Sequence, residues 1–413
     1  MQRSRFFAVV VVSLTACQTY EFNRVEPFTV SQHTEIIIFA SHRLKPNVML
    51  LVDNSGSMLF PTDPTNPACP ANCGNSQNNR CPATCPTRVS EMRAAMDSFL
   101  TNRGTVARFG LTVFPQADAD QCRPPVIVNE SIPGATLNDE GTDQALISNA
   151  GRVNTTLRAI TNNPIGGTPT GAALEFVGTN PSLLDLEDQR DDLVILLTDG
   201  VPNCNAQNPA AICDCVGAGC PAARTNACAC TLGACDLGAN RCAIGCLDSD
   251  NAVAQVKSLF QRNIRTAVVG FGADVVSGPG PAVLQAMANE GGFARTCPNG
   301  TTAECGGGAC DTTTHQCAQS FYAARNATEL EEALAKISEP VVDICQFRLK
   351  ERPSQPGYLA VLIDGQNVSP SDATWHYDEP QNAVLFTGAL CTRLTNSTPR
   401  EPVNVQFRVV QTL

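Results

Sequence analysis

The chain is short of histidine, tryptophan and net positive charge. Its 413 residues include four histidines (His33, His42, His315 and His376) and one tryptophan, and its 28 lysines and arginines face 39 acidic residues, for a net charge of −11. Binding phosphates along a nucleic acid needs a basic footprint, so this balance excludes that class of partner. Long hydrophobic runs are also missing. The one stretch apolar enough to meet a membrane, Phe6 to Val12 with Leu14, is too short to span it.

What the first residues do carry is an export pattern. Arg3 and Arg5, the apolar run and a small-residue exit have the physical profile of a secretory signal over residues 1–16. The exit, Leu14-Thr15-Ala16-Cys17, resembles the bacterial lipobox. That resemblance implies cleavage before Cys17 and lipid on its new N-terminus; an ordinary signal peptide with an incidental cysteine is the alternative. Acyl chains would tether the protein to a membrane by burying methylenes at about 0.8 kcal/mol each. Gln18 lacks the acidic character that resembles an inner-membrane retention signal, so the expected location is the bacterial cell envelope, at the outer membrane. The cysteine count agrees with export. Setting Cys17 aside from the 21 leaves an even number, as an oxidising compartment favours.

A chain of 413 residues exceeds one ordinary domain, and a hydrophobic fraction of 43% permits a real core, so one full α/β domain and a smaller one are expected. Residues 17–45 read as a polar linker with one strand-like run, Glu35 to Phe39. From 46 onward the pattern becomes α/β. Val48 to Val52 is a short continuous apolar run of the kind covered on both faces; residues 107–115, Leu193 to Leu197 and Ile264 to Phe271 also read as strands, and 124–128 as another short one. Helical spacing predicts helices at about 88–102, 249–261 and 280–289, one beginning at Thr168, and a last one opening at Asn326 with Glu329 in a capping-box-like position. This alternation predicts a doubly wound, mostly parallel sheet over residues 46–340. Beyond Val342, Phe347 to Leu349, Tyr358 to Ile363, Ala383 to Phe386 and Val403 to Val409 read as strands, with Asp364-Gly365 as a hairpin turn. Residues 341–413 are expected to form a small β-rich domain, with Cys345 and Cys391 as its natural disulfide.

Three separated segments carry the chemistry. Asp53-Asn54-Ser55-Gly56-Ser57 follows the first strand, Gly166-Gly167-Thr168-Pro169-Thr170-Gly171 precedes a helix, and Thr198-Asp199-Gly200 ends a strand. In a doubly wound sheet all three converge at the carboxyl ends of the strands. Alternating Asp, Ser and Ser offer oxygens on one side of a turn, which suits a hard cation such as Mg2+. Each segment alone has a plain reading: a polar turn, a helix N-cap with proline after it, and a turn after a strand. Thr170 is an alternative to Thr168 as a ligand.

In order and in context, Asp-x-Ser-x-Ser, then Thr, then Asp resembles the metal-ion-dependent adhesion site of von Willebrand factor type A domains. The resemblance covers roughly residues 46–340. It implies that Ser55, Ser57 and Thr168 ligate one divalent ion directly, with Asp53 and Asp199 acting directly or through water. The ion is expected to be Mg2+, with Mn2+ or Ca2+ as alternatives. The resemblance further implies an open coordination position for a carboxylate of a protein partner. Two carboxylates and neutral hydroxyls leave a 2+ ion electrophilic, which agrees with that role.

Cysteine-rich insertions interrupt the pattern at about 59–86, 200–248 and 296–318. The first holds Cys69, Cys73, Cys81 and Cys85; the second holds Cys204, Cys213, Cys215, Cys220, Cys228, Cys230, Cys235, Cys242 and Cys246. Nine is odd, and Cys122, after the second strand, is the simplest outside partner. Zinc binding by the first group is the alternative to disulfides. The third group, Cys297, Cys305, Cys310 and Cys317, is even and can close on itself as a stapled hairpin. The first two insertions are expected to rise from the metal-bearing edge and form a rim around it. The expected function is metal-dependent binding or adhesion without catalysis. A structural envelope protein and a metal-dependent hydrolase are the alternatives. A haloacid-dehalogenase-type phosphoryl site needs a second Asp where Ser55 stands, which weighs against the last.

Overall fold

A computed structural model describes residues 45–116, 122–134, 144–185, 190–205, 245–272, 278–341 and most of 345–408, with the short pieces 37–39, 216, 235–236, 241–242 and 275. Cys17, the segment 1–16 and most of the lead to residue 44 lie outside the described residues, as do Cys213, Cys215, Cys220, Cys228 and Cys230.

In chain order the first elements are β1 (Ile37–Phe39), β2 (Asn47–Asp53), α1 (Arg88–Arg103), β3 (Arg108–Phe114), α2 (Gln144–Ile160), α3 (Thr170–Val177), α4 (Pro181–Leu184) and β4 (Asp192–Thr198). Two-residue strands β5 (Cys235–Asp236) and β6 (Arg241–Cys242) follow, then α5 (Ser249–Gln261), β7 (Ile264–Phe271) and α6 (Gly280–Glu290). The short pair β8 (Cys310–Asp311) and β9 (Gln316–Cys317) precedes β10 (Tyr322–Ala324) and α7 (Ala327–Val341). The remainder is β11 (Gln346–Arg348), β12 (Ala360–Ile363), β13 (Gln366–Val368), β14 (Trp375–Asp378), β15 (Ala383–Phe386), α8 (Gly388–Thr395) and β16 (Val405–Arg408).

The central sheet has the order β10-β7-β4-β2-β3, and every pair in it is parallel. Its long strands are buried along their whole length because helices cover both faces. Val48, Leu50 and Val52 of β2 pack with residues of α1, α2 and α7, while Met49 and Leu51 pack with residues of α3, α5 and α6. The period of two in β2 thus sends alternate side chains into two separate cores. This is an α/β fold with a doubly wound parallel sheet. Its C-terminal unit is built from the antiparallel sheets β1-β16-β12-β13 and β11-β15-β14 around Val361, Trp375, Phe386 and Phe407. The strand near residue 37 pairs with β16 and so belongs to that C-terminal sheet.

Two expectations are corrected. Residues 124–128 form no strand: Pro124 and Pro125 have no N–H to donate to a ladder, and Val126 and Ile127 are exposed. The chain makes its antiparallel contact with β3 just beyond, where Asn129 and Glu130 exchange backbone hydrogen bonds with Leu111. The helix expected from Thr168 begins at Thr170, with Pro169 at the cap position and no side-chain cap. Thr168 is drawn off the helix because its backbone is bonded to Asn203. Three helices, α2, α4 and α8, were not anticipated.

The first insertion is closed by disulfides Cys69–Cys85 and Cys73–Cys81 and the third by Cys297–Cys310 and Cys305–Cys317. The bonded sulfurs of Cys69, Cys73, Cys81 and Cys85 leave no thiolates for zinc. Cys122 is bonded to Cys204, and Cys345 to Cys391. Among the described residues no helix is long and apolar enough to cross a membrane.

Candidate functional site at the carboxyl edge of the parallel sheet

Strand β2 lies between β3 and β4. The chain leaves β2 towards β3 on one side, and leaves β4 towards β7 on the other. The connections diverge at the carboxyl ends of β2 and β4, which opens a crevice there. Asp53 is the last residue of β2 and Asp199 directly follows β4, so both acids stand at this divergence.

Backbone bonds bring the third segment in. Ile165 N donates to Asn54 O at 3.0 Å and Gly56 N donates to Gly166 O at 2.9 Å, which ties the loop before α3 to the loop after β2. Gly56 makes this approach possible, because a Cβ there would meet Gly166 O at 3.3 Å. On the other side Gly200 abuts Ser57, whose Oγ would lie 4.0 Å from an added Cβ.

Within the crevice the side chains form a chain of oxygens. Ser55 Oγ and Ser57 Oγ are 2.9 Å apart, and Ser57 Oγ donates to Asp199 Oδ1 at 2.9 Å. Asp53 Oδ1 accepts from Ser55 N at 2.8 Å, and its Oδ2 accepts from Thr198 Oγ1 at 2.6 Å. Asp53 and Asp199 are both 0% exposed. Burial first, and the neighbouring Asp199 second, push the Asp53 carboxyl up from its ordinary 3.8 to about 7, against the hydrogen bonds from Thr198 and Ser55.

Arg88, the first residue of α1, enters the same crevice. Its Nη1 lies 2.9 Å from Asp199 Oδ2, with both side chains buried, and its guanidinium stacks over Phe60 at 5.5 Å. Gly272, at φ +99°, leaves room for it, since a Cβ there would come within 2.9 Å of Arg88 Nε. Sequence reasoning passed over Arg88 because it follows a cysteine-rich loop and belongs to no motif. Its signal was an arginine at the N-terminus of a helix, where a positive charge opposes the helix dipole and needs an acid to hold it.

These residues fit a hard divalent cation. Cis oxygens around Mg2+ at 2.0–2.1 Å are about 2.9 Å apart, the spacing of the Ser55, Ser57 and Asp199 oxygens. Thr168 is 2% exposed, and beside it the fully buried hydroxyl of Thr170 and amide oxygen of Asn54 have no hydrogen-bond partner. Such orphaned polar atoms are uncommon in a folded interior and mark places where another group completes the bonding. His315 and His376 belong to none of the three segments, and His33 and His42 lie outside the described residues.

No protein-family model and no curated protein matches the chain. Among solved structures it is similar to the pilus adhesin SpaC from Lactobacillus rhamnosus GG, with 14% identity and a TM-score of 0.39 over 89% of this chain and 40% of that one. The PilB minor pilin from Streptococcus sanguinis is similar with 16% identity and a TM-score of 0.39, over 73% of this chain and 62% of that one. The manganese-loaded TRAP protein of Plasmodium vivax is similar with 19% identity and a TM-score of 0.33, over 62% and 67%. The chain thus spans 40% of the pilus adhesin's length and 62% of the minor pilin's.

Proposed function

We propose that the carboxyl edge of the sheet is a metal-ion-dependent adhesion site of the von Willebrand factor type A kind, and that the protein uses it to bind a partner outside the cytoplasm. The observation that carries this reading is the hydrogen-bonded row Ser55, Ser57 and Asp199 beside a second buried carboxylate, Asp53. Ser55, Ser57 and Thr168 would hold one Mg2+ through their hydroxyls, with Mn2+ or Ca2+ as substitutes, and Asp53 and Asp199 would act directly or through water. When bound, the ion supplies an electrophilic position that an acidic group of a protein partner completes. Arg88 holds one oxygen of Asp199 and so fixes which oxygen faces Ser57.

The reading is one of binding and not of catalysis. It includes export, lipid attachment at Cys17 and display at the outer membrane, with the stapled loops around the edge restricting which partners reach the ion. Water-proton relaxation of bound Mn2+ tests the open position. Adding glutarate as a carboxylate probe should displace a metal-bound water and lower the relaxivity, and Asp53→Ala should abolish Mn2+ binding. A Mn2+ signal that no concentration of glutarate alters would mean a closed site with a purely structural ion, and would contradict the adhesion reading.

A further inference from the structure

The loop that carries Thr168 contains two glycines, Gly166 at φ +82° and Gly167, and leads into a helix without a side-chain cap. Such a loop has little stiffness of its own. On the β4 side one residue holds it. Thr168 N donates to Asn203 Oδ1 at 2.7 Å, and Asn203 N donates back to Thr168 O at 3.1 Å, so side chain and backbone of Asn203 together occupy both backbone groups of Thr168.

Asn203 is itself fixed. Its carbonyl accepts from Gly245 N at 2.8 Å, and the preceding Pro202 carbonyl accepts from Asp248 N at 2.9 Å, which closes the base of the second insertion. The next residue, Cys204, is 2% exposed and bonded to Cys122, 82 residues away in the segment after β3. This disulfide lies directly against the Thr168 loop: a Cβ on Gly167 would come within 2.4 Å of Cys204 Sγ and 2.8 Å of Asn203 Oδ1. The loops after β3 and after β4 are thereby joined covalently beside the residue that separates them.

We infer that Asn203 is a positioning residue for Thr168 and that the Cys122–Cys204 disulfide locks it in place, so that affinity for the ion depends on this bond. The inference rests on the reading of Thr168 as a metal-facing hydroxyl. Groups that orient a ligand without touching the metal typically change metal affinity 10–100-fold when removed. Asn203 and the disulfide act through one element, so their effects should not multiply.

The test is Mg2+ calorimetry, with thermal melting of the ligand-free protein, on wild type, Asn203→Ala, Cys122→Ser/Cys204→Ser, their combination, and Cys345→Ser/Cys391→Ser. Asn203→Ala and Cys122→Ser/Cys204→Ser should each weaken Mg2+ binding about 10-fold or more. The combination should be little worse than the stronger of the two. Cys345→Ser/Cys391→Ser should lower the melting temperature and leave Mg2+ affinity unchanged. Wild-type affinity in Asn203→Ala or Cys122→Ser/Cys204→Ser, whatever their melting temperatures, would overturn the inference alone, as would losses that multiply fully. A wild type that binds neither Mg2+ nor Mn2+ would overturn the metal reading and the inference with it.

Discussion

In the C-terminal unit the buried amide of Asn382 donates to Leu349 O at 2.7 Å and accepts from the Tyr377 hydroxyl at 2.8 Å, and the indole of Trp375 donates to Val368 O at 2.7 Å. At the carboxyl edge of the parallel sheet the buried polar groups are arranged differently. Asp53 shares a buried crevice with Asp199, and the hydroxyl of Thr170 and amide oxygen of Asn54 have no protein partner. The first arrangement satisfies itself and stabilises the fold. The second sets two buried carboxylates against one guanidinium, that of Arg88, and leaves acceptors open, so one carboxylate has no cation of its own, which is destabilising. On the proposed reading, buried polarity is scaffold in one region and a metal site in the other.

The sharpest way to break this contrast is to neutralise Asp53. Asp53→Asn should raise the melting temperature of the ligand-free protein, because it removes a buried charge next to Asp199. It should also abolish stabilisation by Mg2+, which in wild type should reach about 2.7 kcal/mol at a hundredfold excess over Kd. A lower melting temperature with Mg2+ stabilisation intact would show that Asp53 is scaffold. The mirror experiment is Asn382→Gly, which keeps the left-handed backbone at φ 50° and removes only the amide. It should destabilise by about 1–3 kcal/mol in urea melts and leave Mg2+ affinity untouched.

Smaller effects separate the two threonines. Thr168→Val should weaken Mg2+ binding about 10-fold by calorimetry. Thr170→Val should leave affinity alone and raise stability by about 1 kcal/mol, since it replaces an unbonded buried hydroxyl with a methyl of similar shape. The reverse pattern would make Thr170 the ligand. The smallest effect is a slope with pH. The Asp53 carboxyl lies higher in the folded chain, at about 7, than its ordinary 3.8, so folding favours its protonated form. That contribution is complete below the lower value and is lost as pH rises towards the higher one. Ligand-free protein should therefore lose thermal stability from pH 4 to 7, and saturating Mg2+ should flatten the slope.

Much of the fold was legible because β2 and β4 hold unbroken apolar runs, Val48 to Val52 and Leu193 to Leu197, as a sheet covered on both faces requires. Asp53, Ser55, Ser57 and Asp199 were legible as neighbours because the ends of parallel strands must converge. Helix α2 carried the same kind of signal, with Leu146, Ala150, Val153 and Leu157 buried at helical spacing, but Asn149 and a polar surround obscured it. Asn149 earns its place by bonding both backbone groups of Phe109, a long-range contact invisible in the chain. Val126 and Ile127 misled in the opposite direction, since two prolines outweigh β-branched propensity. Arg88 and Asn203 were not legible because their partners, Asp199 and Thr168, are far away in sequence. The pairing of β1 with β16 was hidden for the same reason, as it joins opposite ends of the chain.

Titration of Mg2+ into wild type and Asp53→Asn by isothermal calorimetry tests the metal site most directly. Wild type should bind one ion per chain with saturable heat, and Asp53→Asn should show none. Equal affinity in the two proteins, or no saturable heat in wild type, would contradict a divalent ion at the carboxyl edge.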